Sequence, residues 1–198
     1  MNTTKSFSVC IYCGSRAGLN PEFTEGAIAV GKWIGAQGAQ LVYGGGSTGL
    51  MGAVADATRE AGGRIIGIIP QALVDSESAY QFCDELHVVN TMHERKSMMS
   101  ERADAFLAMP GGIGTFEELF EMWAWQQIGY HSKPVGLLNC ANYYDGLIGF
   151  LRNCFESGMI GQAQMDALIS NAEATTVLNT LRSKALESPS YNLIPENV

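Results

Sequence analysis

The part of this sequence best equipped for chemistry is Pro110-Gly111-Gly112-Ile113-Gly114-Thr115, with Glu117 and Glu118 close behind. Gly111, Gly112 and Gly114 permit positive φ and let successive N–H groups face one side. The apolar run Ala105-Phe106-Leu107-Ala108 before them reads as a buried strand, and Phe116, Leu119, Phe120 and Trp123 after them recur at helical spacing. The stretch is therefore a strand, a tight turn and a helix start, where unpaired N-terminal donors and the positive dipole end reinforce the turn amides. Such a turn attracts an anion. Thr115 adds a hydroxyl, and Glu118 brings a carboxylate into the first helical turn, where it can meet whatever hangs from that anion. A phosphate with a reactive group beside it is the expected guest. The plainer alternative is that Glu117 and Glu118 only favour the helix N-terminus electrostatically while the glycines serve the turn.

Two further turns follow strands. Gln40-Leu41-Val42-Tyr43 stops at Gly44-Gly45-Gly46-Ser47-Thr48-Gly49, and Phe7 to Tyr12 ends at Cys13-Gly14-Ser15-Arg16. Gly44, Gly46 and Gly49 fit the Gly-x-Gly-x-x-Gly of a dinucleotide site. The acidic residue that should hold the ribose after the next strand is missing, since Ile65 to Pro70 contain none and Arg64 stands near the expected offset. A dehydrogenase is disfavoured on that ground, and a P-loop nucleoside triphosphatase because no Gly-x-x-x-x-Gly-Lys-Ser/Thr occurs. Gly14, Ser15, Gly45 and Gly46 are expected at the substrate, because one fold can bring all three turns to one rim. Arg95 and Lys96 open the helix that begins at Thr91, on that same rim. There they can pair with a phosphate or fix a carboxylate; otherwise they form a solvated helix face.

The elements that must position these groups alternate along the whole chain. Strands are expected at 7–12, 40–43, 64–69, 85–89, 105–108 and 133–138. Helices are expected around 27–34, 50–61, from 91, from 116 to about 128 and over 143–156, with a last strand and helix between 167 and 186 and a polar tail from Ser188. Repeated βαβ crossovers imply a Rossmann-like three-layer α/β domain, its mostly parallel sheet covered by helices on both faces. Ligands of such sheets sit beyond the carboxyl ends of the strands, near a switch in strand order.

With 198 residues, 46% of them apolar, one domain with a sizeable core is expected. A net charge of −8 disfavours nucleic-acid and anionic-membrane surfaces, so the ligand should be small. No signal peptide or membrane-spanning run is read, and a cytoplasmic location is expected. Five cysteines suit reduced thiols. Cys10-x-x-Cys13 leads from a strand into a turn rather than opening a helix, and is read as inert. His87, His93 and His131 show no ligand spacing, so no metal site is expected.

Met92-His93-x-Arg95-Lys96, followed by Pro110-Gly111-Gly112-x-Gly114-Thr115-x-x-Glu118 and preceded by Gly44-Gly45-Gly46 and Gly49-Leu50-Met51-Gly52, resembles the Lonely Guy (LOG) family. These are cytokinin riboside 5′-monophosphate phosphoribohydrolases, some once labelled lysine decarboxylases. The likeness runs from Cys13-Gly14-Ser15 through His131-x-Lys133-Pro134 to Tyr143-Tyr144-Asp145. It implies hydrolysis of the N-glycosidic bond of a nucleoside 5′-monophosphate, AMP or an N6-isoprenoid relative, to free base and ribose 5-phosphate, with no cofactor. It also implies that Arg95 and Glu118 match the catalytic pair, that Gly112, Gly114 and Thr115 match the phosphate cradle, and that Lys96 and Glu77 belong to the substrate site. Many family members have Thr where this chain has Ala124, a departure that bears on base selectivity.

Chemically, a carboxylate near C1′ stabilises the positive charge that base loss leaves on the ribose and can orient the attacking water. Glu118 suits that role. Arg95 can hold Glu118 ionised, grip the nucleotide or stabilise the departing base, and the sequence leaves all three open. Ordinary glycosidases use two carboxylates; Glu117 and Glu121 are at hand but also read as exposed helix acids. No lysine set marks a pyridoxal phosphate site. The rival reading is a Rossmann-like carrier that binds a nucleotide or phosphorylated cofactor without cleaving it. Trp123 and Trp125, two positions apart on one helix, suggest one face on the sheet and another on a partner, and the resemblance favours a homodimer.

Overall fold

In the computed structural model, which describes residues 6–74 and 79–187, seven strands form one sheet. They are β1 (Ser8–Tyr12), β2 (Gln40–Tyr43), β3 (Arg64–Pro70), β4 (Glu85–Val89), β5 (Ala105–Ala108), β6 (Val135–Leu138) and β7 (Leu168–Asn171). Their order is β4-β3-β2-β1-β5-β6-β7, and all six pairings are parallel. The chain works outward from β1 in one direction and then restarts at β5 in the other, so the switch in strand order lies between β1 and β5. Registers Tyr12↔Ala108 and Ile11↔Tyr43 level the carboxyl ends of β1, β2 and β5, and the turns that follow them leave from one rim.

Alternation along the strands divides the core into two layers. Val9, Ile11, Leu41, Tyr43 and Leu107 face α1 (Pro21–Ala36), α2 (Gly49–Glu60) and α7 (Ala174–Glu187). Cys10, Tyr12, Val42, Phe106 and Ala108 face α3 (Met92–Arg102), α4 (Ile113–Gln127) and α5 (Asp145–Glu156). The Asn20 side chain accepts the Glu22 N–H at 3.0 Å and Pro21 follows, which fixes the start of α1. Thr91 and Glu94 form a reciprocal capping box on α3. That cap determines where the Arg95 turn begins, beyond the end of β4.

Two expectations need correction, and one element was not foreseen. The sixth strand starts at Val135, not Lys133. The helix expected from Tyr143 begins at Asp145, because Tyr143 and Tyr144 belong to an irregular turn after β6. A six-residue helix, α6 (Gln162–Ala167), precedes β7; it has no side-chain N-cap bond and lacked a start signal. Glu77 and the tail from Ser188 lie outside the described residues. Among the described residues no helix is long and apolar enough to cross a membrane.

Candidate active site

Beyond the carboxyl ends of β1 and β5 lies a cavity of about 530 Å³. The turn after β1 supplies Cys13, Gly14 and Ser15, and the turn after β5 supplies Pro110 through Thr115. Gly44 closes one side. The two principal turns are tied together by the Gly14 N–H, which donates to the Pro110 carbonyl at 3.0 Å. Met92 and Met99 of α3 and Leu50 and Met51 of α2 add apolar wall, and Phe23 and Tyr143 stand at the edge. The site thus combines polar turn amides, with the Tyr143 ring beside them, and the thioethers of α2 and α3, a combination suited to a phosphorylated molecule with a flat apolar part.

Arg95 and Glu118 meet inside this cavity, 3.4 Å apart, at 7% and 8% exposure. Arg95 is held from behind, its Nε donating to the Ile68 carbonyl at 3.2 Å. A Cβ on Gly44 would overlap its Nη2, so the first residue of that glycine turn makes room for the guanidinium. Glu118 lies one helical turn beyond the N-terminus of α4, and the pair is tolerable in its buried position because the two charges balance each other. Thr115, 4% exposed, packs on Gly111, whose own Cβ would overlap the threonine hydroxyl.

Lys96 does not reach the cavity. Its ammonium bonds the Glu117 carboxylate and, at 2.9 Å, that of Glu121, so these acids of α4 tie α3 and α4 together beside the Arg95–Glu118 pair. Gly45 and Gly46 likewise stand off the cavity. The Gly45 carbonyl accepts the Tyr80 N–H at 2.8 Å, and Gly46 bridges to Ala79. Gly14, Ser15, Gly111, Gly112, Gly114 and Thr115 all line the cavity; a Cβ on Gly112 or Gly114 would meet nothing within 4 Å. Ala124 is exposed on α4, away from this cavity.

Burial pushes the Cys10 and Cys13 thiols well up, the reverse of a redox-active pair. His131 accepts the Lys133 N–H at 3.1 Å, and burial, with the Lys133 charge behind it, brings its pKa down to about 4. Tyr12, Gly44, Met92, Met99, Phe23 and Tyr143 line the cavity although sequence reasoning did not assign them a site role. For Tyr12 and Gly44 a signal was present, since each ends or follows a strand at the rim.

Residues 51–181 match a family described as possible lysine decarboxylase. The chain is 44% identical, over 87% of its length and 76% of the relative's, to a probable cytokinin riboside 5′-monophosphate phosphoribohydrolase of Oryza sativa subsp. japonica. To a cytokinin riboside 5′-monophosphate phosphoribohydrolase of Arabidopsis thaliana it is 39% identical, covering 93% of this chain and 86% of that one. Among solved structures it resembles the molybdenum cofactor binding protein of Rippkaea orientalis, with TM-score 0.69 and 20% identity over 91% and 98% of the two chains. The molybdenum cofactor carrier protein of Chlamydomonas reinhardtii gives TM-score 0.69 and 20% identity over 92% and 99%. At that identity the structural likeness concerns the fold alone.

Proposed function

The chain belongs to the Lonely Guy family of cytokinin riboside 5′-monophosphate phosphoribohydrolases, and on that footing we propose that it hydrolyses the N-glycosidic bond of AMP or an N6-prenylated AMP. The observation that carries this reading is the Arg95–Glu118 pair, buried beside an open glycine turn in one cavity. A phosphate binder has no use for a carboxylate near its anion, whereas cleavage of a glycosidic bond does. Among the described residues no lysine lines the cavity to form a Schiff base, which favours cleavage over decarboxylation by that route.

The 5′-phosphate sits on the amides of Gly111 to Gly114 and the Thr115 hydroxyl, and the base extends toward Met92 and Met99. As the bond from C1′ to the base nitrogen breaks, its electron pair leaves with the base and positive charge grows on the ribose. Glu118 stabilises that charge and orients water toward C1′. The water oxygen bonds to C1′, and a proton passes to the base. Arg95, fixed by Ile68 and confined by Gly44, keeps Glu118 in place and its charge balanced. Lys96 holds α4 against α3 and so preserves the spacing of the pair.

We further place the enzyme in the cytoplasm, consistent with five unbridged cysteines, and assign it as a homodimer. Phe120 and Ala124, exposed at successive turns of α4, and Ile128 at its C-cap form an apolar stripe suited to a second copy. A glutamate at Phe120 should halve the mass seen by light scattering if the stripe is the interface.

The test is product analysis with AMP and isopentenyladenosine 5′-monophosphate. Free base and ribose 5-phosphate in equal amounts are expected. Nucleotide that binds and is recovered intact would instead support a carrier.

A further inference from the structure

The turn after β6 is strained at two consecutive residues that are not glycine: Ala141 has φ 50° and Asn142 φ 57°. Left-handed backbone costs an alanine stability and persists where surrounding contacts impose it, often at functional positions. Here the Asn139 side chain imposes part of it, accepting the Tyr144 N–H at 2.6 Å and donating to Asp145 at 2.8 Å. What this turn delivers is a pair of tyrosines to the back of the glycine turn. The Tyr144 hydroxyl donates to the Met109 carbonyl at 2.7 Å, and the Tyr143 hydroxyl donates to the Gly111 carbonyl.

Between these bonds the Pro110 carbonyl accepts the Gly14 N–H, and after them the Gly112 carbonyl accepts the Phe116 N–H at 3.1 Å. Four successive carbonyls from Met109 to Gly112 are therefore held. In a trans peptide the C=O and the following N–H point in opposite directions. Holding the Gly111 carbonyl fixes the Gly112 N–H, and holding the Pro110 carbonyl fixes the Gly111 N–H. Gly112 has no side chain to resist a flip of its peptide, so without Tyr143 that plane is free to turn. The tyrosines are themselves braced. Tyr143 packs edge-on against Phe23 at 5.3 Å and against Tyr144 at 5.0 Å, and Tyr144 against Phe116 at 6.3 Å. Burial raises the Tyr144 phenol, which keeps it a donor.

We propose that Tyr143 and Tyr144 are positioning residues that pre-set the amide directions of the 109–112 turn for a phosphate monoester. This rests on the assignment of that turn to the 5′-phosphate. The strained β6–α5 turn is the device that places them.

The experiment compares wild type with Tyr143→Phe and Tyr144→Phe. It measures KM and kcat for AMP, inhibition by ribose 5-phosphate, and thermal stability. Tyr143→Phe keeps the ring and its packing on Phe23, and its half-exposed position makes folding secure. The expected result is a KM about tenfold higher, an equal weakening of ribose 5-phosphate, kcat within about twofold, and an unchanged melting temperature. Tyr144→Phe should show the same split with some loss of stability, because the buried Met109 carbonyl loses its donor. Unchanged KM and inhibition in Tyr143→Phe, or a fall in kcat with KM constant, would overturn the proposal. A wild type that neither cleaves AMP nor binds ribose 5-phosphate would remove the phosphate assignment beneath it, which the variants alone would not do.

Discussion

The two glycine turns of this protein look alike in sequence and serve opposite ends. In the turn after β2, nearly every glycine is occupied by the protein itself: Gly44 admits Arg95, Gly45 packs near Ile69, and Gly49 lies against the backbone of Ser15 and Arg16 with φ 59°. In the turn after β5, Gly111 admits Thr115, but Gly112 and Gly114 face open space in the cavity. A glycine motif states that something approaches the backbone closely. Whether that is a ligand or the chain's own atoms is decided by what the fold puts opposite it.

Substitution by alanine separates the two turns. Gly49→Ala should be the most damaging, because it combines left-handed backbone with overlap against Ser15–Arg16; loss of soluble protein or a melting temperature lower by at least about 10 °C is expected. Gly44→Ala should spare much of the stability and displace the Arg95 guanidinium, lowering kcat by about a hundredfold. Gly112→Ala should fold normally and raise KM for AMP about tenfold, since its methyl group enters the space given to phosphate. Gly114→Ala is the mildest and the most diagnostic. Inside a helix the change favours folding by about 1 kcal/mol, so melting should rise by a few degrees while AMP binding weakens. Thermal melts and steady-state kinetics on these four variants would check the comparison, and equal behaviour of Gly44→Ala and Gly114→Ala would break it.

Much of this arrangement was legible from residue order. The end of β2 follows from an apolar run stopped by Gly44, the start of β5 from Asp104 before an apolar run, and the bounds of β4 from the Asp84 and Asn90 that flank it, and the Arg95–Glu118 pairing follows from two helix starts on one rim. Lys96 was less legible. It neighbours Arg95 in sequence, yet the helix directs it a different way, to Glu117 and Glu121. Gly46 belongs to the dinucleotide pattern and Gly45 lies within it, while the segment at Ala79 and Tyr80 covers them, and spacing carries no sign of such cover. Tyr143 and Tyr144 read as the opening of a helix because Ala141 gives no hint of left-handed backbone; a glycine there would have marked the turn. In each case the missing information is what stands across from a residue, which local pattern does not encode.

The most direct test of the catalytic assignment is a paired measurement on Glu118→Gln: adenine release from AMP by chromatography, and AMP binding by calorimetry on the same sample. The amide keeps the size of the side chain and removes the charge that stabilises the ribose cation. Release reduced by at least about a thousandfold with AMP affinity within about threefold of wild type is the expected result. Adenine release near the wild-type rate would contradict the assignment and take Glu118 out of the chemistry.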